Sequence, residues 1–223
     1  MKKFAILIAL ILVISMFFAT VVMAEESSSK GGRKAGAISI KAGVTIIPDK
    51  DFTIGDTTYT YPGRNGFTLE GDVVVYSTDY IDVDGVIGFF YNAEETYTGI
   101  EPTYVEQFRG GKMTNLYYMG GVNIFPTKEK FYIGIHAGGI TTYYGDFVYT
   151  DSHGQQINIT GLDSDTNFIF RVGAGIQTEH IVFEASYILI HEQSESIDIN
   201  GVNVEIIPGL NRHGVQILGG VKF

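Results

Sequence analysis

From Gly36 to Ile46 the chain alternates: Ile38, Ile40, Ala42, Val44 and Ile46 share one parity, and Ser39, Lys41, Gly43 and Thr45 the other. A period of two is that of a strand with unlike faces. Seven more segments behave the same way, namely Phe67 to Tyr76, Ile81 to Tyr91, Leu116 to Phe125, Phe131 to Tyr144, Phe168 to Gln177, Ile181 to Ile190 and Gly214 to Phe223. The last is the clearest, with Val215, Ile217, Gly219, Val221 and Phe223 on one face and Gln216, Leu218, Gly220 and Lys222 on the other. Eight strands are predicted, each close to the ~9–11 residues that a tilted strand needs to cross a bilayer.

Connections alternate in length. Those around Thr78 to Tyr80, Thr127 to Lys130 and Thr178 to His180 are tight. The others, roughly Ile47 to Gly66, Asn92 to Asn115, Gly145 to Asn167 and His191 to His213, run to about twenty residues, far beyond ordinary hairpin loops. Short and long loops therefore segregate to opposite ends, as in an up-and-down antiparallel transmembrane barrel with short periplasmic turns and long extracellular hairpins.

Parity tests the pairing. With Ala174 and Phe183 both outward, their numbers sum to an odd value, which requires an even-residue turn such as Thr178-Glu179 and sets Gly173 opposite Glu184. The same test gives an even turn centred on Lys128-Glu129. In the last long loop, Ser196 to Ile199 and Val202 to Glu205 flank Asn200-Gly201, a type I′ turn signal. Carried down to the wall its parity fails, so one extra residue is predicted, as a β-bulge near Pro208-Gly209.

A soluble lipocalin-like barrel also alternates, but with its apolar face inside, so composition must choose the faces. The apolar faces carry aromatics near strand ends (Phe67, Phe89, Tyr91, Phe131, Tyr143, Phe168, Phe183, Phe223), as interfacial girdles would. The opposite faces carry Lys41, Glu70, Asp72, Tyr117, Asn123, His136, Arg171, Gln177, Glu184, Gln216 and Lys222. Eight strands leave a lumen just wide enough for side chains, so these groups must satisfy one another or water, and a polar plug is expected. Lys41 is placed to meet Glu70 or Asp72, and Arg171 to meet Glu184, as structural ion pairs or as a gate.

The leader and the charge fix the compartment. Lys2 and Lys3 precede the apolar stretch Phe4 to Val22, and Val22-Met23-Ala24 resembles a cleavage site, so residues 1–24 read as a signal peptide and 25–34 as a flexible polar tail. After residue 24 no stretch approaches ~18 consecutive apolar residues, which leaves membrane crossing to strands. The net charge of −10, and −12 once Lys2 and Lys3 are removed, has the wrong sign for a nucleic-acid binder. The absence of cysteine excludes disulfides, thiol nucleophiles and cysteine metal sites.

Candidate chemistry is sparse. His136, His153, His180, His191 and His213 lack metal-ligand spacing, and His136 reads as hydrogen-bonded lumen filling. The acidic stretches Asp49 to Asp51, Asp82 to Gly85 and Asp163 to Asp165 lack the ligand pattern of an EF-hand and read as solvated turns, with shared divalent cations at lipopolysaccharide as the weaker option. No catalytic residue, metal or cofactor is expected. The long loops alternate β-branched and aromatic residues, as hairpins protruding above a membrane would. Tyr59, Tyr61, Tyr97, Tyr104 and Tyr149 are their candidate contacts for an extracellular ligand, or simply packing between loops.

Leu116 to Val122, Phe131 to Gly139, Phe170 to Ile176 and the terminal Leu218-Gly219-Gly220-Val221-Lys222-Phe223 resemble the small OmpA/OmpX-type bacterial outer-membrane barrels over residues 35–223. The resemblance implies a monomer of the Gram-negative outer membrane, with lipid and lipopolysaccharide around it. It also implies that Phe223 serves as the signal read by the outer-membrane assembly machinery. It transfers no catalytic residues. Envelope structure or cell-surface binding is then the first expectation; a narrow pore for ions or small apolar molecules, as in OmpW-like barrels, is the second, and a lipid A-modifying enzyme the third.

Overall fold

The computed structural model describes residues 35–48, 50–54, 57–61, 64–92, 95–101, 104–110, 113–127, 130–150, 154–160, 164–191, 195–199, 202–207 and 211–223. The signal-peptide segment, the polar tail, and the turn residues Lys128-Glu129, Asn200-Gly201 and Pro208-Gly209 lie outside them. Every element described is a strand. Eight form the wall: β1 (Ile38–Ile47), β4 (Arg64–Ser77), β5 (Ile81–Asn92), β8 (Met113–Ile124), β9 (Phe131–Tyr144), β12 (Asp165–Gln177), β13 (Ile181–His191) and β16 (Asn211–Lys222). The remaining eight lie in the long connections: β2 (Lys50–Ile54), β3 (Thr57–Tyr61), β6 (Glu95–Glu101), β7 (Tyr104–Gly110), β10 (Phe147–Thr150), β11 (Gln156–Ile159), β14 (Glu195–Ile199) and β15 (Val202–Ile207).

The wall closes on itself in the order β1-β16-β13-β12-β9-β8-β5-β4, with every pair antiparallel. Following the register from Ile40 leads through Gly71, Ile87, Tyr118, Gly139, Phe168, His191 and Asn211. Continuing the β1–β16 register from Asn211 reaches position 50, ten residues above the start. With ~3.3 Å per residue and ~4.8 Å between strands, that stagger over eight strands tilts them by about 40°, inside the range of closed barrels. A strand of twelve residues then rises about 30 Å along the axis, enough for a hydrocarbon core.

Two turns share one chemistry. Thr78 N donates to Ile81 O at 2.8 Å while the amides of Tyr80 and Ile81 donate to Thr78 Oγ1 at 3.3 and 3.0 Å. Thr178 does the same with Ile181, His180 and Ile181 at 2.7, 3.3 and 3.0 Å. A threonine hydroxyl that caps the turn makes Thr178 a paired residue, so the two-residue tip is Glu179-His180 rather than Thr178-Glu179. Gly173 consequently faces Ser186, and Glu184 faces Gly175. The expected register is therefore wrong by two residues, a slip that keeps every side chain on its proper face.

Two extra residues interrupt the ladders. In β4, Val74 pairs with Asp84 but Tyr76 with Val83, so Val75 is inserted, a bulge the alternation did not announce. Between β14 and β15 the pairing passes from Ser196–Glu205 to Glu195–Ile207, which inserts Ile206. Below it β13 and β16 pair odd with odd, as Tyr187 with Val215. The one-residue correction demanded by parity thus sits at Ile206; the position named for it from the sequence, Pro208-Gly209, is not among the described residues.

The faces decide the medium. Ile217 and Val221 are 52% and 49% exposed on the outside of the wall, in company with Ile40, Phe67, Ile135, Phe168, Ile176 and Phe183. Phe131, Phe183 and Phe223 mark the turn end, and Phe67, Tyr91 and Phe168 the loop end, while Phe89 and Tyr143 are half-buried. The charged and amide side chains point into the closed interior. This is the inverse of a lipocalin and the arrangement of a barrel in lipid.

Candidate functional site

The interior is layered. Midway along the wall Lys41 is 2% exposed and its Nζ lies 2.6 Å from Glu70 Oε1, 2.7 Å from Asp72 Oδ2 and 3.0 Å from Glu184 Oε2. Arg171, 1% exposed, places Nη1 at 2.5 Å from Glu70 Oε2 and Nε at 3.5 Å from Glu184 Oε1, and donates from Nη1 to Gln216 Oε1 at 3.2 Å. Tyr117 OH donates to Glu70 Oε2 at 2.7 Å and Tyr132 OH to Glu184 Oε2 at 2.9 Å. Two cations and three carboxylates so form one network. Burial without partners would be prohibitive for each of them, and multidentate pairing makes it tolerable.

Closure and glycine together explain the reach. Glu70, Gly88 and Tyr117 are successive partners across β4, β5 and β8, and a Cβ on Gly88 would lie inside the Tyr117 ring. With no side chain between them, tyrosine crosses a strand to meet the carboxylate. Tyr132, Gly175 and Glu184 repeat this across β9, β12 and β13, and His136, Gly121 and Asp84 across β9, β8 and β5. His136 Nε2 is 2.9 Å from Asp84 Oδ1, and Asn123 Nδ2 donates to Asp84 Oδ2 at 2.7 Å.

These contacts correct two expectations. Asp82 and Asp84 are buried lumen residues of β5, with Ser77 Oγ donating to Asp82 Oδ1 at 2.6 Å, and are not solvated turn residues. Their parity, shared with Val86 and Phe90, was the available signal. Nor is the lumen polar throughout. Phe90, Ile140, Ile169, Ile188 and Ile190 pack on its loop side, and Phe125, Tyr132 and Val182 on its turn side, with the Phe125 and Tyr132 rings 5.6 Å apart. So narrow a barrel is filled by whatever side chains pack, and apolar ones seal it at least as well as polar ones.

The other named residues are spread out. Lys222 Nζ donates to Gln177 Oε1 at 3.2 Å at the turn end, away from the Lys41 cluster. Phe223, 74% exposed, holds the seam through backbone bonds to Ile38. Tyr59 and Tyr61 lie on β3, Tyr104 on β7. Tyr97 and Tyr149 share a register row with Phe108 and Ile157 in the four-stranded sheet β11-β10-β7-β6 above the wall.

This closed barrel is similar to OprG of Pseudomonas aeruginosa, an outer membrane protein (TM-score 0.50, 14% identity, covering 86% of this chain and 98% of that one). The fold is that of the eight-stranded outer-membrane barrels. Also similar are Ail, the attachment invasion locus protein of Yersinia pestis (0.49, 14%, 84% and 98%), and Neisserial surface protein A (0.45, 11%, 84% and 99%). No protein-family model and no curated protein matches the sequence. The OprG-like fold and the apolar exterior together describe a β-barrel of the outer-membrane kind.

Proposed function

We propose that this barrel is a non-enzymatic, monomeric envelope protein that holds its own lumen shut and meets the cell exterior through its long loops. The observation that carries this reading is the Lys41–Glu70–Arg171–Glu184 network, packed between apolar layers above and below. An ion crossing here would have to part at least three charge-assisted contacts and a layer of isoleucine and phenylalanine side chains. The tyrosines of β3, β6, β7 and β10 are the contact residues offered to a surface ligand, lipopolysaccharide surrounds the wall, and Phe223 is read by the assembly machinery. Planar-bilayer recording tests the closed lumen: silence in potassium chloride supports it, and discrete conductance abolished by Arg171→Ala overturns it in favour of a pore. Capture of a surface ligand by the intact chain, lost when the loop hairpins are shortened, tests the rest. An altered lipid A mass on expression would overturn the non-enzymatic reading.

A further inference from the structure

The outward glycines of the wall fall into two kinds. At Gly139 and Gly219 a Cβ would run into the rings of Tyr118 and Phe183, which already lie over the bare backbone. At Gly71, Gly85 and Gly120 a Cβ would meet nothing nearer than 3.9 Å. These three are neighbours on β4, β5 and β8: Gly85 pairs with Gly120, and Gly71 with Ile87, two residues along β5 from Gly85. Over Gly71 lies a hollow of about 300 Å³ walled by Ile40, Leu69, Ile87, Phe89 and Leu116.

We propose that this hollow is a binding site for one acyl chain of a membrane lipid, held longer than the chains around it. It is continuous with the belt of exposed Ile40 and Leu69, which already faces hydrocarbon, so its occupant shares that medium. Glu70, Gly71 and Gly88 complete the lining, and the Glu70 side chain is fully buried against Lys41 and Arg171, so the side chains that face the hollow are aliphatic or aromatic. A rigid side chain from a second barrel would need a matching knob; a flexible hydrocarbon chain needs none. Contact with these side chains replaces dispersion energy that bare glycine backbone forfeits. Because Gly71 has room, larger side chains there displace the occupant rather than the wall.

This inference rests on the membrane reading, and the experiment separates the two. Wild type, Gly71→Leu, Gly71→Val and, on the far wall, Ala185→Leu are folded into vesicles of a saturated phosphatidylcholine. Insertion is scored by heat-modifiable gel mobility, and the barrels are then moved to detergent for native mass spectrometry. The expected result is one retained lipid on wild type and Ala185→Leu, with the lipid-bound fraction reduced about tenfold, ~1.4 kcal/mol, in Gly71→Leu. Gly71→Val serves as the second filling variant if Gly71→Leu does not fold. Equal retention in all folded variants, no retained lipid in any, or a lipid-free dimer overturns the acyl site. Failure of wild type to insert overturns the membrane reading instead.

Discussion

Glu70→Ala and Asp72→Asn remove one negative charge each from the same cluster, yet the contacts assign them different costs. Glu70 bridges both cations, at 2.6 Å to Lys41 and 2.5 Å to Arg171, and also accepts from Tyr117. Without it Arg171 keeps only the 3.5 Å approach of Nε to Glu184 and the bond to Gln216, and the Tyr117 hydroxyl loses its short acceptor. Breaking a buried pair in this way costs about 3–5 kcal/mol. Asp72 meets only Lys41, which retains Glu70 and Glu184, and its neutralisation leaves two cations facing two carboxylates. One charge-assisted contact weakened to a neutral one is worth about 1–2 kcal/mol. Urea unfolding in lipid vesicles, followed by the heat-modifiable gel shift, measures both. With a slope of about 2 kcal/mol per molar, Glu70→Ala lowers the midpoint by about 2 M and Asp72→Asn by less than about 1 M. Equal shifts, or a larger one for Asp72→Asn, would refute the assignment of Glu70 as the central bridge.

Glu184→Ala, which strands the Tyr132 hydroxyl and one contact each of Lys41 and Arg171, is expected to lower the same midpoint more than Tyr132→Phe, whose cost is about 1 kcal/mol. Gly175→Val drives a side chain into the Tyr132 ring and should reduce the folded fraction sharply, whereas Gly71→Ala, with open space at its Cβ, should leave it unchanged; the gel shift after refolding compares them. Ile217→Arg places a charge on the lipid face and is expected to cost about 2–4 kcal/mol in vesicle unfolding if it lies at the bilayer midplane, while wild-type stability for that variant would show that the outer face does not touch hydrocarbon.

Periodicity of two is a local property, and the sequence alone therefore determined the wall strands, the face of most of their residues and the separation of turns from long loops, while Asp82 and Asp84, read as turn, and the bulge at Val75 escaped it. Parity went further, because faces constrain sums of residue numbers: it required the extra residue that the structure places at Ile206. Parity is blind to slips of two, however, and the hydroxyl of Thr178 settled the register that moved Glu184 from Gly173 to Gly175. The sequence supplied Lys41, Glu70, Asp72, Arg171 and Glu184 as lumen residues, but pairing across adjacent strands could not foresee that Lys41 meets Glu184. That meeting exists because β1 and β13 both pair with β16 in the closed wall. Asp84 and Tyr132 stayed out of the predicted network for a related reason: each gains its partner across a glycine on the strand between. Tertiary structure alone decided which charges share the interior, since that depends on closure, tilt and the room left by an intervening glycine, none of which is local to a strand.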